Sequence, residues 1–276
     1  MSHSDFAVKF WGVRGSIACP GPDTVRYGGN TSCLEVRCGD RVIILDGGTG
    51  LRLLGNELMR SGNSADLDLF YSHTHFDHIC GLPFFAPCYD ARAKIRIWAG
   101  HLNGIGIEAV LNDMMIAPLF PIPMGTFNAD ISFFDFRAGE TLVPHSHIQM
   151  RTAPLNHPNG ATGFRIEYGG KSVAYITDTE HHPGHPDPNV LQLIDNADIF
   201  VYDASYTDAE FPTHEHWGHS TWQEGIRLAN LAGVRTFVIF HHDPGHDDAF
   251  MDQVAADAAA SRPGTVVAQE GMVLRP

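Results

Sequence analysis

Short apolar, β-branched and aromatic runs alternate with Gly-, Asn- and Asp-rich breaks through the first part of the chain. FAVKFWGV (6–13), SCLEVRC (32–38), RVIILD (41–46) and LDLFYS (67–72) have the length and composition of strands bounded by turns. Between the last two, GLRLLGNELMRSG places apolar residues at helical spacing and closes on Gly62. Further strands are expected over 94–100, 131–136, 148–155, 161–170, 171–178 and 198–205, with GGK at 169–171 marking a hairpin. The C-terminal part reads as helix, strand, helix, strand: STWQEGIRLANLAG, VRTFVIFHH, DDAFMDQVAADAAA and GTVVAQEGMVLRP. One piece fits less well. HLNGIGIEAVLNDMMIAPLF, from residue 101, has helical spacing and then breaks into PIPMGTF. Its Met and Phe residues are either core or, because 101–130 lies between strands without joining a sheet pattern, a lid or dimer surface. No internal repeat or low-complexity linker divides the chain, and one α/β domain over 1–276 is expected.

A chain of 276 residues is long enough to bury a sizeable core. Its formal net charge of −14 repels polyphosphate backbones, so a nucleic-acid polymer is not the expected partner. A small phosphate substrate stays compatible, because bound metal reverses the local sign. The opening MSHSDFAVKFW lacks a basic stretch followed by an apolar run, so no secretory leader is expected. No apolar run approaches a membrane span, and no membrane partner is expected. The five cysteines, Cys19, Cys33, Cys38, Cys80 and Cys88, show no CxxC spacing and read as reduced thiols of a cytoplasmic protein. The anomaly is histidine, with 17 copies.

Several of these histidines sit where apolar strands end, which is where α/β layers carry their chemistry. HTHFDH (73–78) follows LDLFYS, Asn156-His157-Pro158 follows IQMRTAPL, Asp178 follows VAYIT, and His241-His242-Asp243 follows TFVIF. In extended backbone His73 and His75 point the same way and Asp77 continues the alternation, while His78 faces elsewhere unless the chain turns. With such a turn the four side chains surround two cations rather than one. Imidazole and carboxylate without thiolate suit Zn²⁺, and also Mn²⁺ or Fe²⁺.

His73, His75, Asp77 and His78, followed by His157, Asp178 and His241, resemble the successive metal motifs of the metallo-β-lactamase superfamily. The order of strands and helices supports the resemblance over nearly the whole chain. It implies an α/β fold, the four-layer αβ/βα metallo-β-lactamase sandwich, with the metals at one edge between the sheets. It also implies two divalent metal ions per chain: one on His73, His75 and His157, the other on Asp77, His78 and His241, with Asp178 bridging. FVIFH fits His241 as the last ligand, leaving His242 as a neighbouring or substrate contact. Asp46, in IILDGGTG, matches the acidic residue that supports the metal loop in this superfamily, or serves simply as a turn-initiating Asp.

WGHSTWQEGIRLANLAG resembles the His-Ser-Thr segment of the phosphodiesterase branch, which includes the tRNA 3′-processing endonucleases and the phosphoribosyl cyclic phosphodiesterases. DASY (203–206) sits where the endonucleases carry an acidic motif. The resemblance makes His219 the group that meets the phosphate and protonates the leaving oxygen, beside Ser220 as an N-cap or a substrate contact. The opening WGVRGS is also family-like, and Arg14 and Asn30 are further candidates to reach substrate. The loop HHPGHPDPN (181–189) reads as a solvent loop near the site. Neither a Gly- and Lys-rich tRNA-binding arm nor a Cys-rich structural zinc site is found in the sequence.

These features together point to a dinuclear hydrolase of a small cyclic or linear phosphodiester, cyclic nucleotides among them. The expected nucleophile is a hydroxide shared by the metals, oriented by Asp77, with His219 as general acid. Fold alone does not choose the bond. A lactone, thioester or β-lactam hydrolase, or a metal-loaded binding or sensor protein without turnover, stays open, as does a homodimer.

Overall fold

The structure is a computed structural model describing residues 6–60, 62 and 65–276. The opening MSHSD, on which part of the no-leader expectation rests, and Ser61 in the first predicted helix lie outside the described residues. One sheet contains β1 (Phe6–Gly12), β2 (Cys33–Cys38), β3 (Arg41–Leu45), β4 (Asp66–Tyr71), β5 (Lys94–Ala99) and β6 (Asp130–Asp135). The other contains β7 (Thr141–His145), β8 (Ile148–Leu155), β9 (Ala161–Tyr168), β10 (Lys171–Ile176), β11 (Ile199–Asp203), β12 (Thr236–Phe240) and β13 (Thr265–Val267). The short β14 (Val273–Leu274) returns to pair with β1, so among the described residues each sheet has seven strands. The helices are α1 (Gly50–Arg60), α2 (Phe76–Ile79), α3 (Ile107–Met114), α4 (Pro188–Ile194), α5 (Trp222–Leu231) and α6 (Asp248–Ser261).

Three buried clusters define the layers. Val8, Leu34 and Phe70 of one sheet meet Phe164, Tyr175 and Phe240 of the other, forming the sheet-on-sheet core. Ile194, Ile226 and Val254, from α4, α5 and α6, cover Phe200 and Phe237 on the outer face of the second sheet. Leu51, Leu54 and Leu111, from α1 and α3, cover Leu69 and Ile97 on the outer face of the first. The arrangement is the expected αβ/βα sandwich, each fully buried Leu, Phe or Ile contributing about 1.5–3 kcal/mol. No described helix is long and apolar enough to cross a membrane.

Strands β3 to β6 are mutually parallel. In the other sheet β9 lies antiparallel between β8 and β10, while β10, β11 and β12 are parallel, so β8, β10, β11 and β12 run the same way. Their C-terminal ends therefore open on one edge, and the polar strand-end residues collect there.

The GGK hairpin forms as expected, with Gly169 and Gly170 both at positive φ between Tyr168 and Lys171. Strand β7 is not among the expected strands, and it contains Pro144. Proline is tolerated there because β7 is an edge strand with an irregular register between Leu142 and His145. Helix α4 was also not anticipated; it follows Pro186 and is capped by Asp187, whose carboxylate accepts from the Asn189 N–H at 2.7 Å. The helical reading of 101–120 shrinks to α3: Gly104 sits at φ 84 before it, and Pro118 disfavours helical backbone after it. GTVVAQEGMVLRP divides into β13 and β14 at Gly271, which has φ 82.

Candidate metal centre

The strand ends deliver His and Asp side chains to one buried cluster. His73 leaves β4 and is 1% exposed, and Asp178 leaves β10 and is 2% exposed. His241 directly follows β12, and His157 lies just past β8. Asp46, Asp178 and His241 have positive φ of 60°, 52° and 63°. The chain turns sharply where each strand stops, at a cost of about 1–2 kcal/mol for a side chain such as His241. HTHFDH does not stay extended. It becomes helical at Phe76, and this turn, not continued alternation, brings Asp77 and His78 to the cluster.

Two groups of ligand atoms share Asp178. His73, His75 and His157 form one set, and Asp77, His78 and His241 the other, each with its donor atoms within 4.8 Å of one another. Asp178 Oδ1 lies 3.7 Å from His73 Nε2 and 3.8 Å from His157 Nε2. Its Oδ2 lies 3.2 Å from His78 Nε2 and 3.3 Å from His241 Nε2.

The surrounding hydrogen bonds determine which nitrogen of each ring is free. The single Ser72 hydroxyl hydrogen goes to Asp46 Oδ2 at 2.8 Å, so His73 Nδ1–H donates to Ser72 Oγ at 3.0 Å. His78 Nδ1–H donates to Asp46 Oδ2 at 2.9 Å, and His157 Nδ1–H to the Gly218 carbonyl at 2.8 Å. Ser205 gives its hydroxyl hydrogen to Asp203 or to the His241 carbonyl, so its oxygen accepts from His241 Nδ1 at 3.1 Å. These four rings thus present Nε2 inward, while His75 brings its Nδ1 to 3.0 Å from His157 Nε2. The Nε2 atoms of His73, His78 and His241 are buried and have no hydrogen-bond partner. Three orphaned nitrogens around a carboxylate fit a divalent cation, and these donors are of the type that Zn²⁺, Mn²⁺ and Fe²⁺ accept.

The electrostatics agree. Burial favours neutral Asp178, but His241, His78 and His73 hold it well below the usual carboxylate range. Burial also opposes charge on His78, yet Asp77, Asp178 and Asp46 raise it well above its ordinary value. A proton and a cation therefore compete for the same nitrogen. His73, His75 and His157 are lowered, first by burial, which keeps them neutral and able to bind metal.

Asp46 is wholly buried and is more than a turn residue. It accepts from the Ser72 N–H, the Ser72 hydroxyl, His78 Nδ1 and the Tyr175 hydroxyl. The WGVRGS loop closes the other side: the Ser16 N–H donates to Asp77 Oδ2 at 2.8 Å. Gly15 has to be glycine there, since a Cβ would lie 2.5 Å from the His241 ring. Gly218, at φ 84, has the same constraint against His157, where a Cβ would lie 2.4 Å from Nδ1.

His219 stands at the rim of the cluster, 12% exposed, its ring 5.0 Å from that of His241 and 5.4 Å from that of His157. Its Nδ1–H donates to Asp203 Oδ2 at 2.9 Å. Burial opposes its charging, but Asp203, Asp178 and Asp77 push it up to about 9. Asp203 as the partner of His219 was not assigned from sequence. Its signal was nonetheless present: an Asp closing a buried strand, IFVYD, as Asp46 and Asp178 do.

Four residues expected to contact substrate are engaged elsewhere. Arg14 is fully buried, and its guanidinium donates to the carbonyls of Gly28, Asp243 and His246. Asn30 is tied to Glu270 through backbone and side chain. His242 turns away and donates from Nε2 to the Ala268 carbonyl at 2.9 Å; burial lowers it to about 3. Ser220 is buried between Tyr202 and His181, and the cap of α5 is Thr221, which accepts from the Glu224 N–H at 3.0 Å. In the 181–189 loop, His181 is buried against Ser220 while 182–186 are exposed, as a solvent loop requires.

The family model described as Beta-lactamase superfamily domain matches residues 41–242. Ribonuclease Z of Haloarcula marismortui is 25% identical over 97% of this chain and 96% of its own. Ribonuclease Z of Halorubrum lacusprofundi is 25% identical over 98% of this chain and 94% of its own. Among solved structures, the metallo-β-lactamase fold protein YhfI of Bacillus subtilis superposes with a TM-score of 0.72 at 18% identity, covering 98% of both chains. The short form of human tRNase Z superposes at 0.68 and 19% identity, and a diphosphatase from the PhnP family at 0.69 and 18%, each covering 98% of both chains. With the family match spanning 41–242 and the sandwich in place, the chain belongs to the metallo-β-lactamase superfamily.

Proposed function

We propose that the chain is a dinuclear metal-dependent phosphodiesterase acting on a small cyclic or linear phosphodiester, with His73, His75 and His157 holding one cation and Asp77, His78 and His241 the other. Asp178 is the shared ligand. Zn²⁺ fits this donor set, as do Mn²⁺ and Fe²⁺. Bound divalent cations neutralise phosphate charge and act as Lewis acids toward its oxygens. The chain supplies the rest. Asp77, fixed by the Ser16 N–H, orients the attacking oxygen species. His219, with Nδ1–H on Asp203, directs its protonated Nε2 outward as a general acid for the leaving oxygen. The five free thiols suit a reducing cytoplasm.

The observation that carries this reading is the Asp203–His219 pair beside the cluster, a fixed imidazolium placed to give a proton to a departing alkoxide. Relatives named Ribonuclease Z over nearly the whole chain support phosphodiester chemistry and keep RNA open as a second substrate. The net charge of −14 favours the small diester. The test is a panel on metal-replete protein: bis-p-nitrophenyl phosphate, cyclic nucleotides, a tRNA transcript and a lactone. Hydrolysis of the small diesters at rates at least tenfold above the RNA and the lactone is expected. A lactone preferred over every diester refutes the reading, and cleavage of the RNA alone moves the substrate to nucleic acid.

A further inference from the structure

HTHFDH serves two cavities. His73, His75, Asp77 and His78 face the metal cluster, while Thr74 and Phe76 of the same stretch, with Ile79 and Cys80 just beyond it, line a separate pocket of about 560 Å³. The opposite wall comes from the 101–130 segment: Val110 and Met114 of α3, then Leu119 and Phe120. The stretch 73–80 thus borders both the metal cluster and the pocket. Phe76, 71% exposed, lines the pocket and directly follows His75 of the cluster.

The lining restricts what enters. Among the described residues lining it, Asp113 is the only ionisable side chain apart from the Cys80 thiol, and none is Lys, Arg or His. A phosphate would meet a carboxylate and no cation there, so the pocket rejects a second anionic group. A neutral apolar or aromatic group instead covers Phe76, Phe84 and Leu119, which stand 71%, 57% and 76% exposed. The volume is that of a small organic ligand site.

We infer that this pocket is the specificity site for the uncharged ester group of the substrate, and that it selects diesters with a planar aromatic or apolar ester over alkyl diesters and polyanions. The inference rests on the phosphodiesterase reading for its catalytic arm only. It accounts for the segment 101–130 as a substrate wall.

The test uses the metal-replete full chain and two non-hydrolysed probes, diphenyl phosphate and dimethyl phosphate, titrated calorimetrically. Wild type is expected to bind diphenyl phosphate at least tenfold more tightly. Val110→Glu and Leu119→Glu are expected to remove that preference while metal content and dimethyl phosphate affinity stay within twofold. In turnover, the same variants raise KM for bis-p-nitrophenyl phosphate about tenfold and leave methyl p-nitrophenyl phosphate unchanged. No aryl preference in wild type, or a preference the variants keep, overturns the inference. A change confined to particle mass in sizing chromatography also overturns it and makes the face a contact between copies. If the aryl preference is present without turnover of any diester, the pocket stands and the phosphodiesterase reading falls.

Discussion

Asp178→Ala is expected to lose more than nine-tenths of the bound metal and to lower diester kcat/KM by about 10³-fold or more. The carboxylate lies between both histidine sets, with Oδ1 3.7 Å from His73 and Oδ2 within 3.3 Å of His78 and His241. Loss of a group that merely supports a ligand costs about 10–100-fold in metal affinity. With Asp178 as the proposed shared ligand, a larger loss is expected, because both positions lose a negative charge in a buried setting. Asp178→Asn keeps the shape and separates charge from packing; it too is expected to lose metal. Metal analysis after dialysis is the readout, with circular dichroism as the control for folding. Two equivalents retained by the alanine variant would remove Asp178 from the centre.

His219→Ala is expected to bind metal normally and to be slowed in proportion to the basicity of the leaving group. A positioned general acid contributes about 10²–10⁴-fold when the departing oxygen needs a proton. Alkyl diesters should therefore lose about 10³-fold in kcat. A p-nitrophenyl diester, whose leaving group departs as a stable anion, should lose less than tenfold. That split distinguishes proton donation from structural support, which would depress all substrates alike. Asp203→Asn should reproduce it more weakly, because the amide still accepts from His219 Nδ1 but no longer sustains its charge. Equal losses on both substrates would take the acid role from His219.

The gathering of His73, His157, Asp178 and His241 was legible because each follows closely on an apolar strand, and these strands end on one edge. HTHFDH was the densest signal, yet period-2 alternation gave the wrong mechanism for Asp77, since the switch to α2 depends on packing of Ile79 into the helix–sheet core. Arg14, Ser220 and His242 were indistinguishable in sequence from exposed loop residues. Their inward placement depends on partners more than 200 residues away for Arg14, and on Tyr202, His181 and Ala268 for the others. Asp203 carried the strand-end signal, but its pairing with His219 comes from how the loop after β11 folds back. Gly104 and Pro118 limit α3 by backbone chemistry that apolar periodicity ignores.

Metal-stripped protein titrated with Zn²⁺ or Mn²⁺, with diester turnover and bound metal followed together, tests the central claim most directly. Turnover is expected to rise to a plateau at two equivalents per chain and to disappear again with chelator. Full turnover at one equivalent, or turnover that persists in chelator, would contradict a dinuclear centre on His73, His75, His157, Asp77, His78, His241 and Asp178.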